Sequence, residues 1–505
     1  MNRTSGWLLL WALSGCATGA PGSSLRHAIA ASGAASHIVA VAATPSPSAP
    51  EAPATPPTPA PTVVVAGPLP SPSPVVAQAG GWLQASPVQT QLLAGSDGST
   101  WLGLWVDAPQ AATGVRAPMD VSLVVDTSGS MSGAKIASAR MAAGSFLETL
   151  RDGDIASVFT FSDVCRQLSG PTVLGRDSRP FLMQRLQGMV AVGGTNMYAG
   201  LQAGEGAMAQ APATHPIRRV VVISDGQANI GPSSPAELGD LAARGTESGA
   251  QVTAIGVGLD YDERTLAALA VRSAGSLYHL EEPSQMAAIL QSEMNLLGHT
   301  VASNAWVEFE PSPGVVVEAT PGLRTETVDG KVRVALGTLH GGQHREVLLR
   351  ARVPTGAVGA RTLGTARLVF DDPGTHGRSV REVPLTVNVT GDRSAAQGSG
   401  NQRVQAMVVS YEATQAQFRA TEALRQGDAT RAQAELASAE QTIQRAQQEY
   451  HFTDEVVQGS LARQSSSIAA GRVATEEAAR SPNRPAAMRR ATLINNNSAY
   501  DALGL

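Results

Sequence analysis

The chain has 505 residues, which is enough for two or three domains that each bury a core of their own. Its formal net charge is only −5 and it carries no long basic run, so the composition argues against nucleic acid as a partner. The sequence holds no run of about 18 apolar residues, and it therefore predicts no membrane-spanning helix.

The first residues have the features of a secretory signal. Arg3 supplies a positive charge, and Trp7–Leu13 is a short apolar run that leads into Leu-Ser-Gly before Cys16. This ending resembles the bacterial lipobox, in which cleavage before the cysteine leaves that residue to be acylated. The resemblance implies a signal peptide over residues 1–15 and a lipidated Cys16, with Ala17 favouring sorting to an outer membrane. A signal peptide cut elsewhere, with the cysteine discarded, is the alternative.

A long segment that is poor in large apolar side chains follows. Residues 16–80 consist mainly of Ala, Pro, Ser and Thr, and such a composition cannot bury enough apolar surface to fold. Proline-rich chain extends by about 3.1 Å per residue, so a stalk of this length reaches on the order of 100 Å or more. The sequence therefore predicts a disordered tether between a membrane anchor and the folded part.

Two strand-like segments open the folded part. Residues 88–94 and 100–107 are rich in β-forming residues, and Ser96-Asp97-Gly98 between them has the chemistry of a tight turn. We expect these two segments to pair as a β-hairpin.

From Met119 onward the pattern changes to short apolar strands that alternate with helical stretches. Four segments have the continuous apolar character of strands that are buried on both faces, namely residues 121–125, 155–161, 220–223 and 252–257. Strands of this kind that alternate with helices predict an α/β domain with a doubly wound parallel sheet. Its predicted extent is residues 119–298.

Beyond residue 298 the apolar period returns to two. Residues 331–336, 345–353 and 383–389 alternate apolar and polar side chains, with Gly and Pro between the segments. This pattern is typical of an antiparallel β-sandwich. Because the early hairpin is expected to join it, the α/β domain is predicted to be an insertion in a sandwich formed by residues 81–118 and 299–391.

The last part of the chain has helical character. Apolar residues recur at steps of four and three over residues 432–450, which indicates an amphipathic helix. Gly427 and Asp428 supply a stop and an N-cap between this helix and a preceding one. We predict a C-terminal helical hairpin within residues 402–480. The remaining predicted boundaries are a polar linker at 392–401 and a disordered tail at 481–505.

Three segments of the predicted α/β domain place polar residues where a strand ends or a helix begins. They are Asp126-Thr127-Ser128-Gly129-Ser130, Gly194-Thr195-Asn196 and Ser224-Asp225-Gly226. In an open parallel sheet, ligands bind outside the carboxyl ends of the strands, so these loops can converge. The candidate set that they supply, Asp126, Ser128, Ser130, Thr195 and Asp225, combines two carboxylates with three hydroxyls and contains no His or Cys. An oxygen-only set suits a hard divalent ion such as Mg²⁺.

The spacing of these residues resembles a known site. Asp126-x-Ser128-x-Ser130, followed by Thr195 and Asp225 in that order, looks like the metal-ion-dependent adhesion site of von Willebrand factor A domains. One such triplet is a weak signal, since Asp and Ser are common in turns, whereas three matched segments in the right order are a strong one. The surrounding sandwich and helices are similar to those of secreted bacterial proteins with this domain and of the inter-alpha-trypsin inhibitor heavy chains.

The resemblance assigns a role to each of the five residues. It implies that Ser128, Ser130 and Thr195 coordinate the ion through their hydroxyls, and that Asp126 and Asp225 act mainly through bound water and hydrogen bonds. The expected ion is Mg²⁺, with Mn²⁺ and Ca²⁺ as alternatives. Neutral ligands leave the cation under-neutralised, so an Asp or Glu of a partner protein can complete its shell. We therefore expect a metal-dependent, adhesion-type lipoprotein of the cell envelope, facing the periplasm or the cell surface.

Catalysis has little support in the sequence. A phosphoryl-transferring aspartate motif would need a second Asp where Ser128 stands, and Gly256-x-Gly258 lacks the third glycine of a dinucleotide-binding loop. We therefore expect no enzyme. The competing interpretation is a scaffold subunit of a cell-envelope assembly, with the α/β domain or the helical tail as its docking surface. Channel-associated proteins with this domain offer a third interpretation, but the sequence predicts no pore-forming span.

Overall fold

The computed structural model of the chain describes residues 75–77, 81–111, 116–375 and 377–504. The predicted signal peptide, Cys16 and nearly all of the predicted tether lie outside the described residues, so these three remain predictions. None of the described helices is long and apolar enough to cross a bilayer.

The secondary structure falls into four groups along the chain. The first described strands are β1 (Val75–Ala77), β2 (Leu83–Pro87), β3 (Gln91–Leu93) and β4 (Ser99–Asp107). The α/β part follows with β5 (Met119–Asp126), α1 (Ala134–Thr149), β6 (Ile155–Phe161), β7 (Cys165–Val173), α2 (Ser178–Gln187), α3 (Met197–Met208), β8 (Ile217–Ser224), α4 (Pro235–Gly245), β9 (Ala250–Val257), α5 (Glu263–Ser273), β10 (Ser276–Leu280) and α6 (Met286–Gly298). The next strands are β11 (Thr300–Pro311), β12 (Val316–Ala319), β13 (Thr325–Val328), β14 (Lys331–His340), β15 (His344–Arg352), β16 (Gly359–Asp372) and β17 (Gly377–Thr390). The last group is helical, with α7 (Arg393–Gln397), α8 (Gln402–Arg425), α9 (Ala429–Tyr450), α10 (Glu455–Arg480) and α11 (Arg484–Ala502).

The α/β domain is built on a sheet with the strand order β10-β9-β8-β5-β6-β7. Every position of β5, β6 and β9 is buried, which explains their continuous apolar character. Helices α1, α2 and α6 pack on one face of the sheet, and α3, α4 and α5 pack on the other. The predicted doubly wound fold is therefore confirmed. The edge strand β7 was not predicted; it runs antiparallel to β6, and its half-exposed, polar sequence lacks the signature of a core strand.

The strands before and after the α/β domain form two antiparallel-rich sheets that share one core. Within the described residues, one sheet follows the order β1-β17-β16-β11-β14-β13 with β3 also on β17, and the other follows β12-β15-β4-β2. Leu104 of β4 and Val347 of β15 lie in the same apolar cluster as Val307 of β11 and Leu368 of β16. The arrangement is the predicted sandwich with the α/β domain inserted in it.

The predicted hairpin of residues 88–94 and 100–107 is wrong. Strand β3 pairs in parallel with β17, whereas β4 pairs with β2 and β15 in the opposite sheet. The turn chemistry is present, because Asp97 accepts a hydrogen bond from the Ser99 N–H and Gly98 has a positive φ of 70°. Gly98 lies against the backbone of Val353, where a side chain would collide. The turn therefore passes the chain from one sheet to the other instead of folding it back.

The C-terminal region contains more structure than the sequence predicts. Instead of a hairpin, α8, α9, α10 and α11 pack together around a shared core of mostly alanine. The predicted junction is confirmed, since Gly427 has a positive φ and the Asp428 side chain caps α9. The predicted linker contains the short helix α7, which Asp392 caps.

The predicted disordered tail is wrong, because residues 484–502 form helix α11. The buried positions of α11 are occupied mainly by Ala, Thr and Asn, so the sequence shows no apolar stripe. Its Leu493 nevertheless reaches the core of the α/β domain. Arg489 donates hydrogen bonds to the carbonyls of Leu259 and Tyr261 and pairs with Glu263 at 2.9 Å. Tertiary contacts therefore order this segment.

A buried acid beneath the sheet makes the stability of the fold depend on pH. Glu205 of α3 is only 7% exposed, and one of its carboxyl oxygens has no hydrogen-bond partner. It faces Gly245 of α4, where a β-carbon would lie 2.8 Å from the Glu205 Cδ. Burial raises the pKa of Glu205 to about 8, although the charge of Arg244 acts in the opposite direction. The side chain is therefore protonated in the folded protein at neutral pH.

We expect Glu205→Gln to stabilise the protein at alkaline pH. The pKa of Glu205 is higher in the folded protein than in the unfolded chain. Its contribution to stability is therefore fully present below pH 4.5 and is lost as the pH rises from there through about 8. Glutamine does not titrate, so relative to wild type the variant gains on the order of 5 kcal/mol between pH 4 and pH 8.5. Urea unfolding at both pH values measures this gain. The exposed Glu247→Gln is the control, and an equal pH response in both variants would contradict the assignment.

Candidate metal site

The three polar loops predicted from the sequence meet at one edge of the parallel sheet. Strands β5 and β8 are neighbours in parallel, with Val125 opposite Ile223, so Asp126 and Ser224 end side by side. The third loop precedes α3, whose N-cap Asn196 accepts a hydrogen bond from the Ala199 N–H. This edge is the carboxyl end of the strands, where the doubly wound fold places its ligands.

Backbone and side-chain hydrogen bonds hold the three loops together. The Gly129 N–H donates to the Gly193 carbonyl at 3.0 Å, and the Val192 N–H donates to the Thr127 carbonyl at 2.8 Å. The Thr195 N–H donates to Asn229 Oδ1 at 2.8 Å. The loop that carries Thr195 is therefore fixed to the loops that follow both β5 and β8.

All five predicted site residues converge in the structure. Ser128 Oγ and Ser130 Oγ are 3.0 Å apart, and Ser130 Oγ donates to Asp225 Oδ1 at 2.8 Å. Oxygens of Ser130, Thr195 and Asp126 surround Gly226. A β-carbon built on this glycine would be 3.4 Å from Ser130 Oγ, 3.5 Å from Thr195 Oγ1 and 3.8 Å from Asp126 Oδ2. A larger residue at Gly226 would fill the space that these oxygens surround.

Asp126 is a fully buried acid of the site. Its Oδ1 accepts a hydrogen bond from the Ser128 N–H at 2.8 Å, and its Oδ2 accepts one from Ser224 Oγ at 2.6 Å. Burial raises the pKa of this carboxyl to about 6, although the hydrogen bonds from Ser128 and Ser224 act in the opposite direction. A cation beside it would favour the ionised form and offset the burial.

The residues fit a small divalent ion. In an octahedron with bonds of about 2.1 Å, neighbouring ligand atoms are about 3.0 Å apart, and this is also the separation of the Ser128 and Ser130 oxygens. The set contains only oxygen, which suits Mg²⁺ or Mn²⁺. Among the described residues, no cluster of three or more His, Cys, Asp or Glu offers an alternative metal site.

Sequence reasoning assigned no role to three residues that contact the site. Ser224 donates to Asp126, Asn229 holds the Thr195 loop, and Lys135 Nζ donates to Asp225 Oδ2. Ser224 stands in the third predicted segment without an assigned role, and no spacing marks Asn229. Lys135 stands out in the sequence because lysine is rare in this chain. Of its 37 lysines and arginines, only Lys135 and Lys331 are lysines.

A doubly wound sheet of this order, with an oxygen-only site at its carboxyl edge, has a von Willebrand factor A-like fold. Comparison of the sequence with protein families gives the same answer, because residues 121–227 match the von Willebrand factor type A domain. The matched segment contains all five site residues.

Individual proteins that the chain resembles cover it only in part. The uncharacterized protein sll0103 of Synechocystis sp. is 25% identical over 54% of this chain and 66% of its own length. Inter-alpha-trypsin inhibitor heavy chain H3 of Mesocricetus auratus is 24% identical over 46% of this chain and 26% of its own length. The chain thus spans less than two thirds of these curated relatives.

A solved structure shows that the likeness in fold extends well beyond the matched domain. The structure described as von Willebrand factor type A from Catenulispora acidiphila superposes with a TM-score of 0.62 at 18% identity. The superposition covers 77% of this chain and 89% of that one. At this identity the likeness is one of fold.

Proposed function

We propose that the α/β domain binds a divalent cation, preferably Mg²⁺, and uses it to capture an acidic group of a partner protein. Ser128, Ser130 and Thr195 hold the ion through their hydroxyls, while Asp126 and Asp225 orient these hydroxyls and hold water. The observation that carries the proposal is the convergence of these oxygens from three loops at one edge of the sheet.

The hydrogen bonds of the two acids support this division of roles. Both carboxylate oxygens of Asp126 accept hydrogen bonds from the protein, and Asp225 accepts from Ser130 and Lys135. The acids are therefore engaged in orienting their neighbours. Neutral hydroxyls as direct ligands leave most of the charge of a divalent ion uncompensated. When bound, the ion supplies a Lewis-acidic position that an Asp or Glu carboxylate can fill.

The surroundings of the site are suited to a protein partner. Ser130 lies on the exposed side of the site. The loop that follows β6 hydrogen bonds to the loop before α3 through Asp163 and Gly194, and exposed valines flank this contact. Val164 is 56% exposed and Val192 is 57% exposed. Apolar side chains next to a charged centre provide the contact area that a single carboxylate lacks.

The proposal extends to the location of the protein. We place it in the cell envelope, at an outer membrane, with Cys16 as the lipid anchor and residues 16–80 as the tether. Metabolic labelling with a palmitate analogue tests the anchor, because the label must appear in wild type and be absent from Cys16→Ser.

Capture of a partner is tested by a crosslinking pull-down from the native envelope. Wild-type protein with Mg²⁺ is expected to retain a partner that is lost with EDTA and lost in Thr195→Ala, since both remove the ion. Thr127→Ala is the matched control, because its hydroxyl donates to the Phe161 carbonyl and does not face the site.

The alternative of a scaffold subunit makes a different prediction. Helices α8 and α11 already contact the α/β domain through Arg425, Arg489 and Leu493, so this side of the bundle is occupied. A scaffold subunit would dock through another face of the α/β domain or through the remaining surface of the helical tail, on α9 and α10. If the same partners are retained with EDTA and by Thr195→Ala, the protein acts as a scaffold and the metal-dependent proposal is wrong.

A further inference from the structure

A lysine occupies the position of a cation beside one acid of the site. Lys135 follows the Asp126–Ser130 loop at the start of α1, and its Nζ contacts Asp225 Oδ2. The Asp225 side chain is fully buried, whereas that of Lys135 is 27% exposed. A β-carbon on Gly258 would lie 3.7 Å from Lys135 Cε and Nζ, so this glycine borders the lysine. The ammonium of Lys135 thus reaches into the site. The rest of its side chain lies at the solvent-exposed edge of the site, which we call the rim.

The choice of lysine is unusual for this chain. Of 37 lysines and arginines, only Lys135 and Lys331 are lysines. In the part of the chain that the structure describes, the other well-buried ion pairs use arginine, as in Arg116–Asp154, Arg219–Glu293 and Arg425–Glu263. Arginine is planar and can grip a carboxylate with two parallel hydrogen bonds, whereas lysine is a point charge on a flexible stem. Lysine is the cation that can more readily withdraw from a carboxylate.

We infer that Lys135 is a built-in competitor of the divalent ion, and that it moves to the rim when the ion binds. This inference rests on the cation site proposed above. The ammonium and the ion both neutralise Asp225, and two positive charges held at one carboxylate repel each other. Binding of the ion therefore releases Lys135 from Asp225.

The released lysine gives the site a second means of recognition. Its ammonium then lies at the exposed edge, beside the position at which the ion accepts a carboxylate. A partner segment with two neighbouring acidic residues can contact both cations, whereas a segment with one acid can contact only the ion. The partner that fits this site therefore carries a pair of acidic residues.

Substitution of the lysine tests the competition. Lys135→Met keeps the length of the side chain and removes its charge, so Mg²⁺ affinity is expected to rise about tenfold by titration calorimetry. If Lys135 merely supported the structure of the site, the same substitution would lower the Mg²⁺ affinity. Lys331→Met is the matched control. Lys331 lies on β14, and its Nζ is 3.3 Å from Glu310 Oε2, so this substitution should leave the Mg²⁺ affinity unchanged. Unchanged or weaker binding by Lys135→Met would overturn the inference.

The scarcity of lysines allows a second readout on the wild-type protein. Limited acetylation, quantified by mass spectrometry, should modify Lys135 several times faster with Mg²⁺ than with EDTA, while Lys331 reacts equally in both. This readout decides the matter if Lys135→Met fails to fold. Unchanged acetylation in protein that calorimetry shows to bind Mg²⁺ overturns only the role of Lys135. Failure of the wild type and Lys135→Met alike to bind Mg²⁺ overturns the metal site itself.

Discussion

Thr195→Ala is expected to weaken Mg²⁺ binding at least about 100-fold, equivalent to about 2.7 kcal/mol, without unfolding the protein. The substitution removes one of three neutral oxygens, and a methyl group cannot replace it as a ligand. The hydrogen bond that fixes this loop uses the Thr195 backbone N–H and Asn229, so it survives the change. Titration calorimetry on chelator-treated protein measures the affinity, and thermal unfolding without metal measures the fold.

Thr127→Ala is the matched control for this prediction. Thr127 is 5% exposed and lies between Asp126 and Ser128. Thr127 and Thr195 are buried to a similar degree and lie in adjoining loops. Its hydroxyl donates to the Phe161 carbonyl at 3.1 Å and contributes to stability rather than to the site. Equal Mg²⁺ affinity in Thr195→Ala and wild type, or an equal loss in both variants, would refute the assigned ligand.

The structure also shows why Thr195 is a better test than Asp126. From the sequence alone, alanine at either position is expected to abolish binding and leave the fold intact. In the structure, Asp126→Ala would leave Ser224 Oγ and the Ser128 N–H without their acceptor in a buried place. An unsatisfied buried group costs about 1–3 kcal/mol, so lost binding in that variant would be mixed with lost stability.

The parts of the fold that sequence reasoning captured are those with a local signature. Strands β5, β8 and β9 are buried on both faces, so their residues are almost continuously apolar and stand out from their neighbours. The site was predictable for a related reason. The carboxyl ends of these strands must share one edge of the sheet, and two of the three motif loops directly follow β5 and β8.

The parts that were missed depend on contacts distant in sequence. Helix α11 buries mostly small or polar residues such as Ala499 and Asn495, and its order comes from α8, α10 and the α/β domain. Strand β3 pairs with β17, which lies some 300 residues further along the chain, and no local pattern encodes that choice. Lys135 meets Asp225 only after the sheet has formed, so its rarity was visible but its partner was not.

Replacing Glu293 with alanine is expected to destabilise the protein by about 3–5 kcal/mol. Glu293 of α6 is 2% exposed and faces Arg219 of β8, with Arg219 Nε 3.7 Å from Glu293 Oε1. Its oxygens also accept hydrogen bonds from Thr253 at 2.5 Å and Tyr278 at 2.7 Å. Without the carboxylate, a buried guanidinium that is already short of partners has no counter-charge. Urea unfolding measures the loss.

Two further variants decide whether the lost charge is the cause. Glu282→Ala removes an exposed acid just before α6 and should change stability by less than about 0.5 kcal/mol. Arg219→Met combined with Glu293→Leu removes both charges and should recover most of the stability, since a well-packed apolar pair often matches a buried ion pair. If Glu293→Ala costs less than about 1 kcal/mol, or if the double variant is as unstable as the single one, the cost does not come from the stranded Arg219 charge.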